Sequence, residues 1–512
     1  MLSAHAPGEA VRRTYDGRVC MEDVPSTEPE AAAPVSRSRV PAMLALATLA
    51  GLMVRAVLLD RQSFWMDEAL EYFIVTIDSP VEMVRRIADG LDKNPPLYHL
   101  VMWLWVRVVP DTEAWLRAPS VLASTAMIPA AWAIARRLAP KAALGAAIIV
   151  AVSPFAIYYG QEARMYAFAG ALGAWSVAAF LWALDAPGRK GRWVVYAILR
   201  LLAAYTHPYA LLLGVPELVV ALRRAKARRP FLASAVAQGV LYAPWLIVLL
   251  RLSSAGAGFA ESTSPLAIGY TFFSFLFGFS LGPSLAELHG DVDLGAHAAV
   301  IALAALALAG PAIVWVRRGS ARGLIASYVG ALVGGALLVT ALTPVAFNVR
   351  YVIAAMPLVA IAIADGLLAW RWRIARVLAA FTVGGLMAVS LWNWWNDPAY
   401  AKDDHRSAVA YVMEGHRAGD RVLLLTYQDP FRYYTDDAVP FRTLYKDGAL
   451  DEAAWDALQT DGLDPGRLWV LRARPWEIDP DAEILEWILD HGELIGGIAF
   501  PGVEVFELSV PA

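Results

Sequence analysis

Eleven apolar stretches divide the first three quarters of this chain, and they dictate what it folds into. They are residues 41–59, 118–136, 142–160, 167–184, 193–206, 209–222, 231–251, 295–316, 323–343, 351–369 and 374–391. A membrane-crossing helix needs roughly 20 apolar residues, and most of these runs approach that length. Hydrophobic residues make up 58% of the chain and charged ones only 18%, against roughly 45–50% and 25% in soluble domains. The expected fold class is therefore a polytopic α-helical membrane protein. Many of the 19 tryptophans lie near the ends of these runs, where amphipathic rings anchor a helix at the water interface. A net charge of −4 gives no reason to expect a nucleic-acid partner, and the single cysteine, Cys20, excludes both a disulfide framework and a cysteine metal cluster.

Residues 1–39 are polar and lack an apolar core, so they read as a disordered cytoplasmic tail rather than a cleaved leader. Basic clusters orient the remainder, because Lys and Arg concentrate on the cytoplasmic side. Arg136/Arg137/Lys141, Arg189/Lys190/Arg192, Arg223/Arg224/Lys226/Arg228/Arg229, Arg317/Arg318/Arg322 and Arg371/Arg373/Arg376 all fall on that side if eleven spans start from an inside N-terminus. Two readings follow from this parity. Residues 97–109 form a short helix lying at the outer surface, and residues 193–222 form a helical hairpin turning at Thr206-His207-Pro208. Three regions are expected: the tail 1–39, a membrane domain 40–391 with a large outer loop 60–117, and an extracytoplasmic domain 392–512. The last alternates helical runs (DHRSAVAYVMEGHR, AEILEWILDH) with strand-like ones (RVLLLTY, RLWVLRA, LIGGIAF), which predicts a small α/β domain. It shows no internal repeat and no glycine-rich phosphate loop.

The conspicuous polar motifs all fall on the outer side. Asp67 and Glu68 follow the first span directly, and charge beside hydrocarbon is costly unless it is solvated or used. The plain reading is a helix start favoured by carboxylates. The chemical reading makes Asp67 a general base toward a hydroxyl, with Glu68 orienting it or binding a cation. Asp92-Lys93-Asn94-Pro95-Pro96 in the same loop is either a proline-fixed turn or a phosphate contact through Lys93 or Asn94, with Asp92 and His99 nearby. Glu162 and Arg164 in the second loop are either a mutual salt bridge, or a sugar- or metal-binding acid beside a phosphate contact. His207 is either a satisfied structural group or a sugar or metal contact. Arg350, followed by Tyr351, either snorkels from a span end or binds phosphate by paired donors. A divalent cation has candidate ligands in Glu68, Asp92, Glu162 and His207, though no ligand spacing requires one. A lipid transporter would instead place charged or broken helices near the bilayer midplane, often in paired repeats, and a cell-envelope scaffold would leave these residues without a role.

Read in order, the strings FWMDEALE, DKNPPLY, LRAPS, SPFAIYYGQEARMYA, YTHPYALL and NVRYVIAAMPL resemble the bacterial family-39-like glycosyltransferases. These form the superfamily of protein O-mannosyltransferases and lipid A aminoarabinose transferases, which have the GT-C fold. The resemblance spans about residues 40–391. It implies an inverting membrane transferase, mannosyltransferase-like, that takes a sugar from a polyprenyl-phosphate donor at the outer face of the cytoplasmic membrane. The acceptor would be a glycan, lipid or protein hydroxyl. By motif position Asp67 corresponds to the catalytic acid residue, Glu162 to the second-loop acid and Arg350 to a basic position before a late span. Asn94 stands where the aminoarabinose transferases carry a phosphate-holding lysine, and Lys93 lies one residue earlier.

Overall fold

The computed structural model describes residues 39–255, 266–290, 292–317, 321–343, 345–446 and 449–511. The polar N-terminal segment, apart from Arg39, and Cys20 with it, lie outside the described residues. Among the described residues eight helices are long and apolar enough to cross a membrane, or nine if one bent pair counts as a single span. All eleven apolar runs are helical. The first is α1 (Arg39–Ala56); α2 (Met66–Val75), α3 (Pro80–Ala88) and α4 (Leu97–Trp105) then occupy the large loop. Next come α5 (Glu113–Leu138), α6 (Ala143–Val152), α7 (Pro154–Gly160), α8 (Tyr166–Asp185), α9 (Lys190–Thr206), α10 (Gly214–Arg223) and α11 (Ala225–Ala255). After them follow α12 (Leu266–Phe277), α13 (Leu285–His289), α14 (Leu294–Val316), α15 (Ala321–Leu342), α16 (Met356–Ala369) and α17 (Arg373–Asn396). The centre of the bundle is formed by α8 and α16, which are mostly buried, whereas α1, α11 and α14 turn most of their side chains outward. Apolar residues all round a helix suit the centre of a bundle.

The run 142–160 is not one straight span. It bends by 52° between α6 and α7. Pro154 lacks the N–H that the Val150 carbonyl would otherwise accept. Arg55 of α1, wholly buried, takes up the freed groups. Its guanidinium donates to the carbonyls of Val150 (2.9 Å) and Ala151 (2.8 Å), to Gly51 (2.9 Å) and to the Ser124 hydroxyl (2.7 Å). A broken helix is tolerated at membrane depth when protein groups satisfy its backbone.

The turn at His207 is a hairpin. Beyond it α9 and α10 face each other through Glu217, whose buried carboxylate accepts from Tyr196 (2.6 Å) and Arg200 of α9 and from Tyr328 of α15 (3.0 Å). The short helix α4 packs one face, Tyr98, His99 and Met102, into the fold and leaves Leu104 exposed. One expectation needs correction. The stretch 252–294, read as a plain loop, contains α12, whose Phe275, Leu276 and Phe277 join the main core. Gly278 ends that helix in the left-handed region (φ 68°), so the run stays too short to be read as a span from its length.

The C-terminal region is an α/β layer structure. Its strands are β1 (Arg421–Leu425), β2 (Arg442–Thr443), β3 (Tyr445–Lys446), β4 (Ala449–Leu450), β5 (Gly466–Ala473), β6 (Glu493–Phe500) and β7 (Val503–Val510). Five make one sheet in the order β2-β1-β5-β7-β6, with β1 parallel to β2 and β5, and β7 antiparallel to β5 and β6. Alternation along the strands separates two cores. Val422, Leu424, Trp469 and Leu471 face helices α18 (His405–Gly415) and α19 (Gln428–Thr435). Leu423, Leu425, Leu468 and Val470 face α20 (Glu452–Asp461) and, beyond the short helix α21 (Pro475–Ile478), α22 (Glu483–Asp490).

Replacing Arg55 by Leu leaves the Val150 and Ala151 carbonyls buried without donors. The expected cost is about 2–5 kcal/mol, read as a lowered melting temperature of the purified protein in detergent. An unchanged melting temperature would mean that the bend satisfies itself.

Candidate active site

The motif loops converge at one end of the bundle. Asp67 and Glu68 lie in the first turn of α2, but neither caps it; the N-cap is Trp65, with no side-chain bond. Instead the two carboxylates diverge. Glu68 is buried and fully engaged. It accepts both arms of Arg117 (2.7 and 2.8 Å), the Ala163 N–H (2.8 Å) and Lys402 Nζ (2.9 Å). Burial alone would raise its pKa, yet Arg117 and Lys402 hold the carboxyl down at about 2. Glu68 thus joins α2, α5, the second loop and the start of the C-terminal domain, and has no lone pair left over for a cation. Asp67 is half-buried. Its Oδ2 lies 3.2 Å from Arg350 Nη1, and both side chains keep about a fifth of their surface open. Arg350 stands among aromatic rings, 5.0 Å from Tyr166, 5.8 Å from Tyr351 and 5.9 Å from Trp65. Its buried Nε has no partner among the described residues.

Behind this pair lies a second polar layer. Arg164 donates to Asp92 (2.8 Å) and to Glu71 (3.3 Å). His99 Nδ1 lies 2.9 Å from Glu71. Burial would raise the pKa of Asp92, but Arg164 and His99 hold it near 2. Asn94 turns back on Asp92, with its backbone N–H (2.8 Å) and side-chain amide (2.7 Å) both donating to Oδ1. This is an Asx turn of the kind the paired prolines prepare. Lys93 is exposed. His207 is buried against Tyr351 and Tyr209, with ring centroids 5.3 and 5.4 Å away. Burial, aided by Arg350, drives its pKa down to about 3, so it is neutral.

Glu162 differs from every other carboxylate here. It is buried, and neither oxygen has a hydrogen-bond partner among the described residues. Its nearest cation is Lys402, at 3.7 Å. Burial raises its pKa to about 7 against the pull of Lys402, and Glu68 adds to the rise.

Donor atoms of Glu71, Asp92 and His99 lie within 4.8 Å of one another and form the one group of three potential metal ligands among the described residues. His99 Nε2 is buried and unpartnered, so the group fits a divalent cation, although Arg164 already balances part of its charge. Of the four cation ligands expected from sequence, only Asp92 belongs to this group. Four participants were not foreseen: Glu71, Arg117, Trp65 and Lys402. Glu71 follows Asp67 by four residues and Glu68 by three, the spacing that shares a helix face. Arg117 stands inside LRAPS. Lys402 carries no signal of its own.

The family model for dolichyl-phosphate-mannose-protein mannosyltransferases matches residues 93–252. No curated protein matches the chain in sequence. Among solved structures, ArnT from Cupriavidus metallidurans in the apo state aligns with TM-score 0.56 and 11% identity over 92% of this chain and 98% of that one. ArnT from the same organism bound to undecaprenyl phosphate aligns with TM-score 0.51, 11% identity and the same coverage. An Archaeoglobus fulgidus oligosaccharyltransferase in complex with zinc and sulfate gives TM-score 0.49 and 13% identity over 92% of this chain and 73% of that one. The chain is a multi-pass membrane protein that shares the GT-C fold of these structures, and its segment 93–252 resembles the dolichyl-phosphate-mannose-protein mannosyltransferases.

A native pKa raised above that of the unfolded chain stabilises the fold at low pH and withdraws that contribution as pH climbs through the native value. For Glu162 the window runs from its ordinary value of 4.5 to about 7. Glu162→Gln should therefore gain stability relative to wild type between pH 5 and 8, by on the order of 2 kcal/mol. Melting curves of both proteins across that range check this; parallel curves would show that burial does not raise the Glu162 pKa.

Proposed function

We propose that the chain is an inverting glycosyltransferase that moves a sugar from a polyprenyl-phosphate donor to a hydroxyl acceptor at the outer face of the cytoplasmic membrane, with Asp67 as general base. One observation carries this reading: the half-open carboxylate of Asp67 stands beside Arg350, a cation with an unused donor, at the mouth of an otherwise closed polar cluster. A base and an anion site side by side are what a single displacement needs. The acceptor oxygen attacks the anomeric carbon while Asp67 takes its proton. The bond from that carbon to the phosphate oxygen breaks through an oxocarbenium-like transition state. The lipid phosphate leaves with the electron pair, and Arg350 stabilises its charge. Arg164 is committed to Asp92 and Glu71, whereas Arg350 faces Asp67 and keeps a donor unused, so the leaving charge falls to Arg350.

The undecaprenyl phosphate in the Cupriavidus ArnT structure, which shares this fold, supports a polyprenyl-phosphate donor. Glu71, Asp92 and His99 are the residues that would hold a divalent cation, which would there supply positive charge beside the donor's phosphate. The outer-face placement is supported by the arrangement of charge. The motifs gather at one end of the bundle, whereas Arg137–Asp185 (2.9 Å) and Arg322–Asp365 (2.7 Å) pair at the other, basic end.

The test follows consumption of a panel of radiolabelled polyprenyl-phosphate sugars by the purified protein, with membrane extract added as acceptor source. Wild type should consume one donor, and Asp67→Asn should be slower by about 10²- to 10⁴-fold. Equal turnover by the variant would end the Asp67 mechanism. Unchanged lipid translocation with no transfer by wild type would favour a flippase.

A further inference from the structure

Lys402 belongs to the connection between α17 and α18, the tether of the C-terminal domain, yet its side chain is almost wholly buried among the residues of the membrane domain. The tether is fixed there by several independent bonds. The Lys402 N–H donates to Gln62 Oε1 (3.0 Å), and the Ser63 hydroxyl donates to the Asp403 carbonyl (2.6 Å). Arg474 holds the Asp403 carboxylate (2.7 Å) and stacks 5.0 Å from the Trp65 ring. Arg406 and Tyr434 both donate to Glu113 Oε1 (2.6 and 2.7 Å).

The ammonium so placed lies 2.9 Å from Glu68 and 3.7 Å from Glu162. Glu68 does not need it. The bidentate Arg117 already neutralises that carboxylate, and the Ala163 N–H adds a further bond. Glu162 has no hydrogen bond among the described residues and no cation nearer than Lys402. Counted as two carboxylates against Arg117 and Lys402, the cluster is neutral only when Glu162 is ionised.

We propose that Lys402 is a positioning residue of the transferase site, that it keeps Glu162 a carboxylate open to the hydroxyls of a bound sugar, and that the C-terminal domain thereby completes the site. This rests on the transferase reading above. Lys402 touches no reacting atom; it acts through Glu162. The other charges acting on Glu162 are Arg350, which favours its ionised form, and Glu68 and Asp67, which oppose it; the Tyr158 and Tyr159 rings pack beside it. Removing Lys402 leaves the opposing charges in the majority.

The experiment compares full-length wild type, Lys402→Met, Lys402→Arg, Glu162→Gln and the Lys402→Met/Glu162→Gln double variant in lipid nanodiscs. The Glu162 carboxyl stretch, assigned as the infrared band lost in Glu162→Gln, is titrated with pH. In wild type its midpoint should lie near pH 7. In Lys402→Met it should rise by about one pH unit or more, and Lys402→Arg should restore it. The acid limb of kcat/KM on the consumed donor should move in parallel, and Lys402→Met should shift no limb in the Glu162→Gln background. Should methionine disturb assembly, Lys402→Gln removes the charge while keeping a donor for Glu68 and gives the same readout. An unmoved infrared midpoint, or an equal limb shift with and without Glu162, overturns the proposal. The infrared readout needs no substrate, so a shifted midpoint with no donor consumed supports the coupling and counts against the transferase mechanism instead.

Discussion

The site depends on one buried carboxylate. Glu68 accepts from Arg117 on α5, from the Ala163 backbone in the second loop and from Lys402 on the tether. Three segments far apart in sequence are thereby held at one point. A buried ion is tolerated only when its charge and lone pairs are all matched, and Glu68 meets that condition. Asp67, the next residue, then has a fixed direction. Successive residues on a helix point about 100° apart, so locking Glu68 inward turns Asp67 to the open side, against Arg350.

Around this anchor the polar groups fall into layers by degree of satisfaction. Arg164, Asp92, Glu71 and Asn94 form a closed network whose charges and hydrogen bonds largely cancel. Such a network gives rigidity and little reactivity. Beside it Arg350 Nε, His207 Nδ1, Trp65 Nε1 and both oxygens of Glu162 are left without hydrogen-bond partners among the described residues, as are His99 Nε2 and Arg164 Nε in the network itself. Buried groups of this kind are costly to leave unpaired. The bend between α6 and α7, satisfied by Arg55, and the hairpin tied by Glu217 bring the Glu162 loop and the His207 turn to the same end of the bundle.

Much of this was legible in the chain itself. The eleven apolar runs are all helical, because period and length are local properties. The His207 hairpin followed from proline chemistry and charge parity. The strands of the C-terminal domain showed through alternation, although β7, VEVFELSV, was overlooked beside its glycine-rich neighbour β6. The stretch 252–294 reads as a loop in sequence, yet its short apolar helix α12 is buried by protein instead of lipid.

What the sequence determined by itself was the class of molecule and part of the polar cluster's membership. Hydrophobic length set the membrane fold, and Asp67, Glu162, Arg164, Asp92, His207 and Arg350 stood out because charge is rare and expensive at the ends of apolar helices. What only the tertiary structure decided was the division of labour among them. Adjacent Asp67 and Glu68 look alike in sequence, yet one is locked and the other open. Lys402 resembles any surface lysine until the tether folds back to place it beside Glu162. Ionisation, pairing and exposure depend on which distant groups come within a few ångströms, and a linear pattern does not carry that distance.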